Sequence, residues 1–228
     1  MNSDNSKMTF VCPYQDNACK YIHDWIQYYV KPYAENLGLW DIINITKENA
    51  VGPNVRQSVS DTNPRGILEE GHGSKWTISG HDTKMVWWCG DQGHMDILSP
   101  DRIVHFISCH TGADNGIGCY IINNGGVAFC GHNDIFWAST KWEYRDAECE
   151  LWIALMDGDT FDEAKDRMLD KYDYCIDQLI QQGYSPAHLI WNRDTLVFLG
   201  NMNAKLIEVD DNEEVVTDVE NIFINVLN

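Results

Sequence analysis

Two stretches, Gly71-His72-Gly73-Ser74 and Arg102-Ile103-Val104-His105-Phe106-Ile107-Ser108-Cys109-His110-Thr111-Gly112, decide how the rest of the chain is read. Each closes a short apolar run with small and reactive residues. Gly66-Ile67-Leu68-Glu69-Glu70 leads to His72, and Ile103 to Ile107 leads to Cys109. That is the pattern of a buried strand that delivers a side chain to the edge of a sheet. If the two strands are parallel neighbours, imidazole and thiol emerge at the same edge, where open α/β sheets place their ligands. The expected site is therefore a Cys/His nucleophile and base pair.

Upstream, Thr9-Phe10-Val11-Cys12 reads as a first strand stopped by Pro13. Asp16 then caps a helix in which Cys19, Ile22, Ile26, Tyr29 and Tyr33 recur at helical spacing. Pro32 is expected to kink or end that helix early, with Gly38 as a late stop. Asp41 to Ile45 is a second strand, and the polar, turn-rich segment Thr46 to Pro64 is expected as loop plus a short helix. Between the two decisive stretches, Trp76, Ile78 and Met85 to Trp88 flank Gly80-His81-Asp82, which predicts a small hairpin standing over His72. Asp91 to Pro100 reads as loop.

Downstream of Cys109 come a helix through Ile117, Tyr120 and Ile121, a fifth strand from Gly126 to Cys130, and a helix from about Asp146 to Met156. Thr160 and Glu163 then form a capping box for a helix striped by Phe161, Ala164, Met168, Tyr172, Cys175 and Leu179 and stopped at Gly183. Leu196 to Asn201 is a sixth strand or hairpin. Strands alternating with helices predict an α/β domain with a mostly parallel six-stranded sheet and helices on both faces. The domain is expected over 1–205. In the acidic segment 206–228, Val215, Val219, Ile222, Phe223 and Val226 repeat with helical period, so it is expected to dock as a terminal helix.

The 228 residues are 44% hydrophobic and include nine Trp and ten Tyr, enough for a full core. A net charge of −19 leaves no basic surface to release phosphate counterions, which argues against nucleic acid and anionic membrane as partners. No stretch is long and apolar enough to cross a bilayer. Met1-Asn2-Ser3-Asp4-Asn5-Ser6 lacks the regions of a signal peptide, so a cytoplasmic location is expected. The eight Cys show no CxxC spacing and read mostly as small buried apolar residues in a reducing compartment. His110, Cys130 and His132 could with Cys109 suggest a zinc site, but no tight ligand spacing supports one, and neither a metal nor another cofactor is expected.

Gly71-His72-Gly73 after one strand and Ile107-Ser108-Cys109-His110-Thr111-Gly112 after the next resemble the two signatures of the caspase-fold (clan CD) cysteine peptidases. The pattern is closest to gingipain-like and metacaspase-like members. Gly125 to Asn133 is similar to the strand and turn after the nucleophile in gingipain-like members, and the resemblance covers Thr9 to Gly200. It implies a caspase-like three-layer sandwich and a cysteine endopeptidase acting on a peptide or protein substrate. Cys109 would attack the carbonyl as thiolate, and His72 would deliver a proton to the leaving amine. The N–H groups of Gly73 and Cys109 would form the oxyanion hole. The group requires no third triad member, and none is assigned.

Taken singly, Cys109 reads as a buried strand-end Cys and His72 as a satisfied loop histidine; taken jointly with Gly73, the nucleophile and base reading prevails. Many relatives that cleave after Arg or Lys carry Asp two residues before the nucleophile, where this chain has Ile107. An acid for a basic P1 side chain must then come from the loop after the first strand, Asp16, or after the fifth, Asp134. Each also has a structural reading, as a helix cap and as a turn residue. Lys141 and Arg145, in an expected exposed connection from Ser139 to Asp146, suggest self-cleavage there. The alternative is a catalytically idle caspase-fold binding or scaffold module. Retention of both His72 and Cys109 favours the enzyme.

Overall fold

The apolar runs that precede His72 and Cys109 lie side by side in the computed structural model, which describes residues 4–207. They form β3 (Pro64–Glu70) and β7 (Ile103–Ile107), paired in parallel from Gly66 against Ile103 to Glu70 against Ile107. Around them the sheet takes in β1 (Asp4–Cys12), β2 (Asp41–Thr46), β8 (Ala128–His132) and β9 (Leu196–Gly200), in the order β2-β1-β3-β7-β8-β9. Only β9 is antiparallel to its neighbour. The remaining short strands, β4 (His72–Gly73), β5 (Thr77–Ser79) and β6 (Met85–Trp88), make a separate antiparallel sheet.

Alternation along the strands sorts the core into two layers. Met8, Phe10, Cys12, Leu68, Ile103, Ile107 and Cys130 face one side, where they meet α1 (Asn17–Trp25), α2 (Lys31–Leu37), α6 (Trp142–Met156) and α7 (Phe161–Gln181). Val11, Ile67, Val104, Phe106 and Phe129 face the other, against α3 (Gly52–Thr62), α4 (Gln92–Leu98), α5 (Ile117–Asn123) and the small sheet. Every residue of β3 and β7 is buried, as expected for strands covered on both faces. The architecture is the expected three-layer α/β sandwich. Complete burial of a side chain such as Phe10 or Phe106 stabilises it by roughly 1.5–3 kcal/mol.

Several local readings are refined or changed. Pro32 interrupts the first helix without ending it. A π-helical turn over Ile26–Val30, with Lys31 N–H reaching back to Ile26 O, precedes α2 and sets Pro32 at its start, where the missing N–H costs little. Gly38, left-handed at φ 66°, makes the stop. In the segment read as loop plus a short helix, Gly52-Pro53 opens the eleven-residue α3, again because Pro suits a first turn. Asp91 accepts from His94 N–H and caps α4 in a segment read as loop.

The expected exposed connection from Ser139 to Asp146 is instead the entry to α6. Trp142 starts the helix, and Arg145 lies inside it, bonded to Asp146 and set over the Tyr29 ring. Tyr144 and Ala147 supply its buried face. Self-cleavage after Arg145 loses its structural basis, since a helical turn is not an extended, accessible strand. The capping box at Thr160 and Glu163 forms as expected, and α8 (Ala187–Asp194) is an addition. The helix expected in 206–228 falls almost wholly outside the described residues. Among those described, no helix is long and apolar enough to cross a membrane.

Candidate active site

The carboxyl ends of β1, β3, β7 and β8 point to one edge of the sheet, because all four run in parallel. Asp16 follows β1, His72 follows β3, Cys109 follows β7 and Asp134 follows β8. A small cleft of about 40 Å³ at that edge is lined by His72, Ser108 and Cys109 together with Ala18, Cys19, Ile22, Gly71, Ile107, Phe136 and Ala138. The fold thus brings the two sequence-predicted groups to a common cleft.

Two turns hold them there. The Ser108 hydroxyl donates to Gly71 O at 2.8 Å and ties the end of β7 to the residue before His72. His72 and Gly73 pair with Ser79 and Ile78 of the hairpin, and Ser79 Oγ donates to His72 O at 3.1 Å. Gly73 sits so close to the β7 turn that a Cβ there would lie 2.4 Å from Cys109 O and 2.2 Å from Ser108 Oγ. Only glycine allows that approach. After Cys109 the chain turns through His110, left-handed at φ 59°, whose N–H donates to Asp134 O at 3.0 Å. A non-glycine residue in this region stores strain of about 1–3 kcal/mol, a feature common at functional sites.

Cys109 differs from most of its kind in the chain. Five cysteines are buried, as the composition predicts, whereas Cys109 is partly exposed. Its sulfur accepts from Phe136 N–H at 3.4 Å, a donor suited to a thiolate. Burial pushes the Cys12, Cys130 and Cys149 thiols far up, which keeps them protonated and inert.

His72 is half exposed, and its Nε2 is hydrogen-bonded to Asp16 Oδ2. A carboxylate only accepts, so Nε2 carries the hydrogen and Nδ1 presents the basic lone pair. The other oxygen of Asp16 accepts from Cys19 N–H at 3.0 Å as the cap of α1. Partial burial works against the Asp16 carboxylate, but the Cys19 N–H and the His72 ring outweigh it and hold its pKa below the ordinary value. Asp16, expected as a substrate acid or a cap, is a cap and the partner of His72. Asp134 stands elsewhere on the edge, bonded to Ile135 N–H at 2.7 Å, with one oxygen 3.9 Å from His110 Nδ1.

Beneath the cleft lies a polar core that the sequence reading missed. Glu148 of α6 accepts from Tyr172 and faces His105 Nε2 at 3.1 Å and His132 Nε2 at 3.2 Å, all of them fully buried. Trp152 Nε1 donates to His105 Nδ1 at 3.1 Å, which fixes that ring as the Nε2–H tautomer. Burial opposes the Glu148 charge, yet the two imidazoles more than compensate and hold its carboxyl far below the usual range. His132 and Cys130 therefore belong to the core and not to a zinc site with Cys109. In the sequence Glu148 is one of five charged residues in the first nine positions of α6, so it carries no signal that sets it apart.

No protein-family model matches the chain, and no characterised protein matches it in sequence. Solved structures do. The crystal structure of the Arg specific cysteine proteinase gingipain R matches with a TM-score of 0.64 over 90% of this chain and 49% of that one, at 10% identity. The fold is the caspase-like one. A complex of the Porphyromonas gingivalis RgpB pro- and mature domains matches with a TM-score of 0.58 over 87% and 48% of the two chains, at 9% identity. A secreted C11 cysteine protease from Bacteroides thetaiotaomicron, in complex with an irreversible peptide inhibitor, gives 0.43 over 57% and 49%, at 11% identity. This chain spans about half the length of the chains it matches.

Proposed function

We propose that the protein is a cysteine endopeptidase in which Cys109 is the nucleophile and His72 the proton-transfer group. The observation that carries this reading is their convergence on one cleft, with Asp16 bonded to Nε2 of the imidazole. The Cys109 thiolate attacks the scissile carbonyl, and the tetrahedral oxyanion is held by the N–H groups of Gly73 and Cys109. His72 Nδ1 takes the thiol proton as the thiolate forms and gives it to the leaving amine. The C–N bond breaks, and water then hydrolyses the thioester, releasing the acid and restoring the Cys109 thiol. Asp16 orients the ring and favours the imidazolium that forms in between. One oxyanion donor is worth roughly 3 kcal/mol of barrier.

Turnover of a fluorogenic peptide library tests the reading. Cys109→Ala should abolish turnover with the fold intact, and His72→Ala should lower kcat by about 10²–10⁴. Turnover surviving in Cys109→Ala would overturn it, as would dependence on His110 or His132 with His72 dispensable. A protein that binds these peptides without ever cleaving them would instead be the idle module.

For the P1 side chain, the reading retained is Arg or Lys with Asp134 as the acid, because both oxygens of Asp16 are engaged. A small uncharged P1 residue is favoured by one observation, the apolar lining that Ile107, Ile22 and Ala138 give the cleft. The same library separates them: basic preference that Asp134→Ala removes supports the first, and preference for Ala or Val at P1 supports the second.

A further inference from the structure

Three different ligand types converge on one point at the rim of the cleft. Asp16 Oδ2, Cys19 Sγ and His72 Nε2 all lie within 4.8 Å of one another. The cap of α1 arranges the first two. Cys19 N–H donates to Asp16 Oδ1, which sets the carboxylate and a thiol three residues on against the same first turn, and the end of β3 brings in the imidazole.

A second group points to a cation at the same place. Glu70, the last residue of β3, is fully buried beside Cys19, and neither of its oxygens meets a nitrogen or oxygen partner among the described residues. Its near neighbours are the Cys19 thiol and the Asp16 carboxylate, neither of which brings it a positive charge. A divalent cation held by Asp16, Cys19 and His72 would supply one.

We propose that Asp16, Cys19 and His72 form a binding site for a thiophilic divalent cation of the zinc class, with a fourth position open to the cleft. Thiolate, imidazole and carboxylate donors select zinc or cobalt over the oxygen-seeking calcium and magnesium. Binding turns the Cys19 thiol into a thiolate and releases its proton, while the His72 hydrogen moves from Nε2 to Nδ1 so that Nε2 can face the metal; with one proton released, affinity rises with pH. The metal site stands on geometry alone. Its consequence, reversible arrest of turnover because the bound imidazole is withheld from proton transfer, rests on the peptidase reading above.

Cobalt(II) titration of the full-chain Cys109→Ala protein tests the site without any turnover. One equivalent should bind, with thiolate-to-cobalt charge-transfer absorption and the strong visible bands of a four-coordinate ion, and zinc should displace it. Adding Cys19→Ser should abolish the charge-transfer band. Because Cys19 is buried, Asp16→Asn and His72→Ala, at half-exposed positions, provide independent variants, each expected to weaken zinc at least tenfold (roughly the lower bound for a lost ligand partner). Absence of a thiolate band in Cys109→Ala, or its persistence after Cys19→Ser, would overturn the site. Zinc should also inhibit the wild type. A cobalt spectrum in a protein that cleaves nothing would leave the metal site standing and remove the peptidase, whereas turnover insensitive to zinc would remove the inhibitory role.

Discussion

Replacing Ser108 by Ala removes the hydroxyl that donates to Gly71 O at 2.8 Å. Both residues are buried, so the carbonyl loses its donor where water does not readily replace it. Leaving one such group unsatisfied costs about 1–3 kcal/mol. For a chain of this size 1 kcal/mol shifts Tm by roughly 2–4 °C, so the melting temperature should fall by about 2–12 °C. The bond also sets the His72 turn against the Cys109 turn, and a displacement of about 1 Å in reacting groups can cost on the order of 10²-fold. Melting by scanning fluorimetry, together with the rate at which a peptide electrophile labels Cys109, reads both effects. Labelling should slow by roughly 10–100-fold. An unchanged Tm would refute the assigned hydrogen bond. A lowered Tm with an unchanged labelling rate would refute its role in aligning the site.

Gly73→Ala should lower kcat/KM by about 10²-fold or more, because its Cβ would lie 2.4 Å from a backbone oxygen that cannot rotate away; activity within a factor of two of wild type would contradict the close approach. Glu148→Gln removes the buried carboxylate that His105, His132 and Tyr172 face; the loss of a hydrogen bond to a charged group, about 1.5–3 kcal/mol, should lower Tm by roughly 3–12 °C. Acid should destabilise the wild type in two stages. Burial lowers the folded pKa of His105, so the unfolded chain binds more protons and stability begins to fall below about pH 6.5. Glu148, whose folded pKa is depressed, adds a second loss below about pH 4.5, which Glu148→Gln should remove. Urea melts across pH 3–8 would contradict this if stability were flat or rose toward acid.

The strand ends were legible in the sequence because Ile67-Leu68 and Ile103-Val104 are apolar runs that stop at glycine and cysteine, and a parallel pairing sets His72 and Cys109 on one edge. The partner of His72 was not. Asp16 is 56 residues away and announces itself locally only as a cap; its second contact exists because β1 and β3 are neighbours in the sheet. Ser108 was equally silent, since a hydroxyl bonded to a carbonyl 37 residues earlier leaves no periodic trace. Two of the segments that read as loop share a cause: Pro53 and the Gly93 and Pro100 of the Asp91 to Pro100 stretch are breaker residues, and such residues also lie at or within short helices. Ser139 to Asp146 read as exposed because four of its eight residues are charged. Glu148 was hidden in a helix buried nearly all round, where position alone does not tell a paired core acid from a surface one.

Cys109 as a nucleophile served by His72 is tested most directly by intact-mass and peptide-mapping analysis after exposure of the wild type, Cys109→Ala and His72→Ala to a broad peptidyl chloromethylketone. One adduct should form on Cys109, none in Cys109→Ala, and far more slowly in His72→Ala. Contradiction would be labelling confined to Cys89 or Cys119, the other partly exposed thiols, or a wild type labelled no faster than His72→Ala.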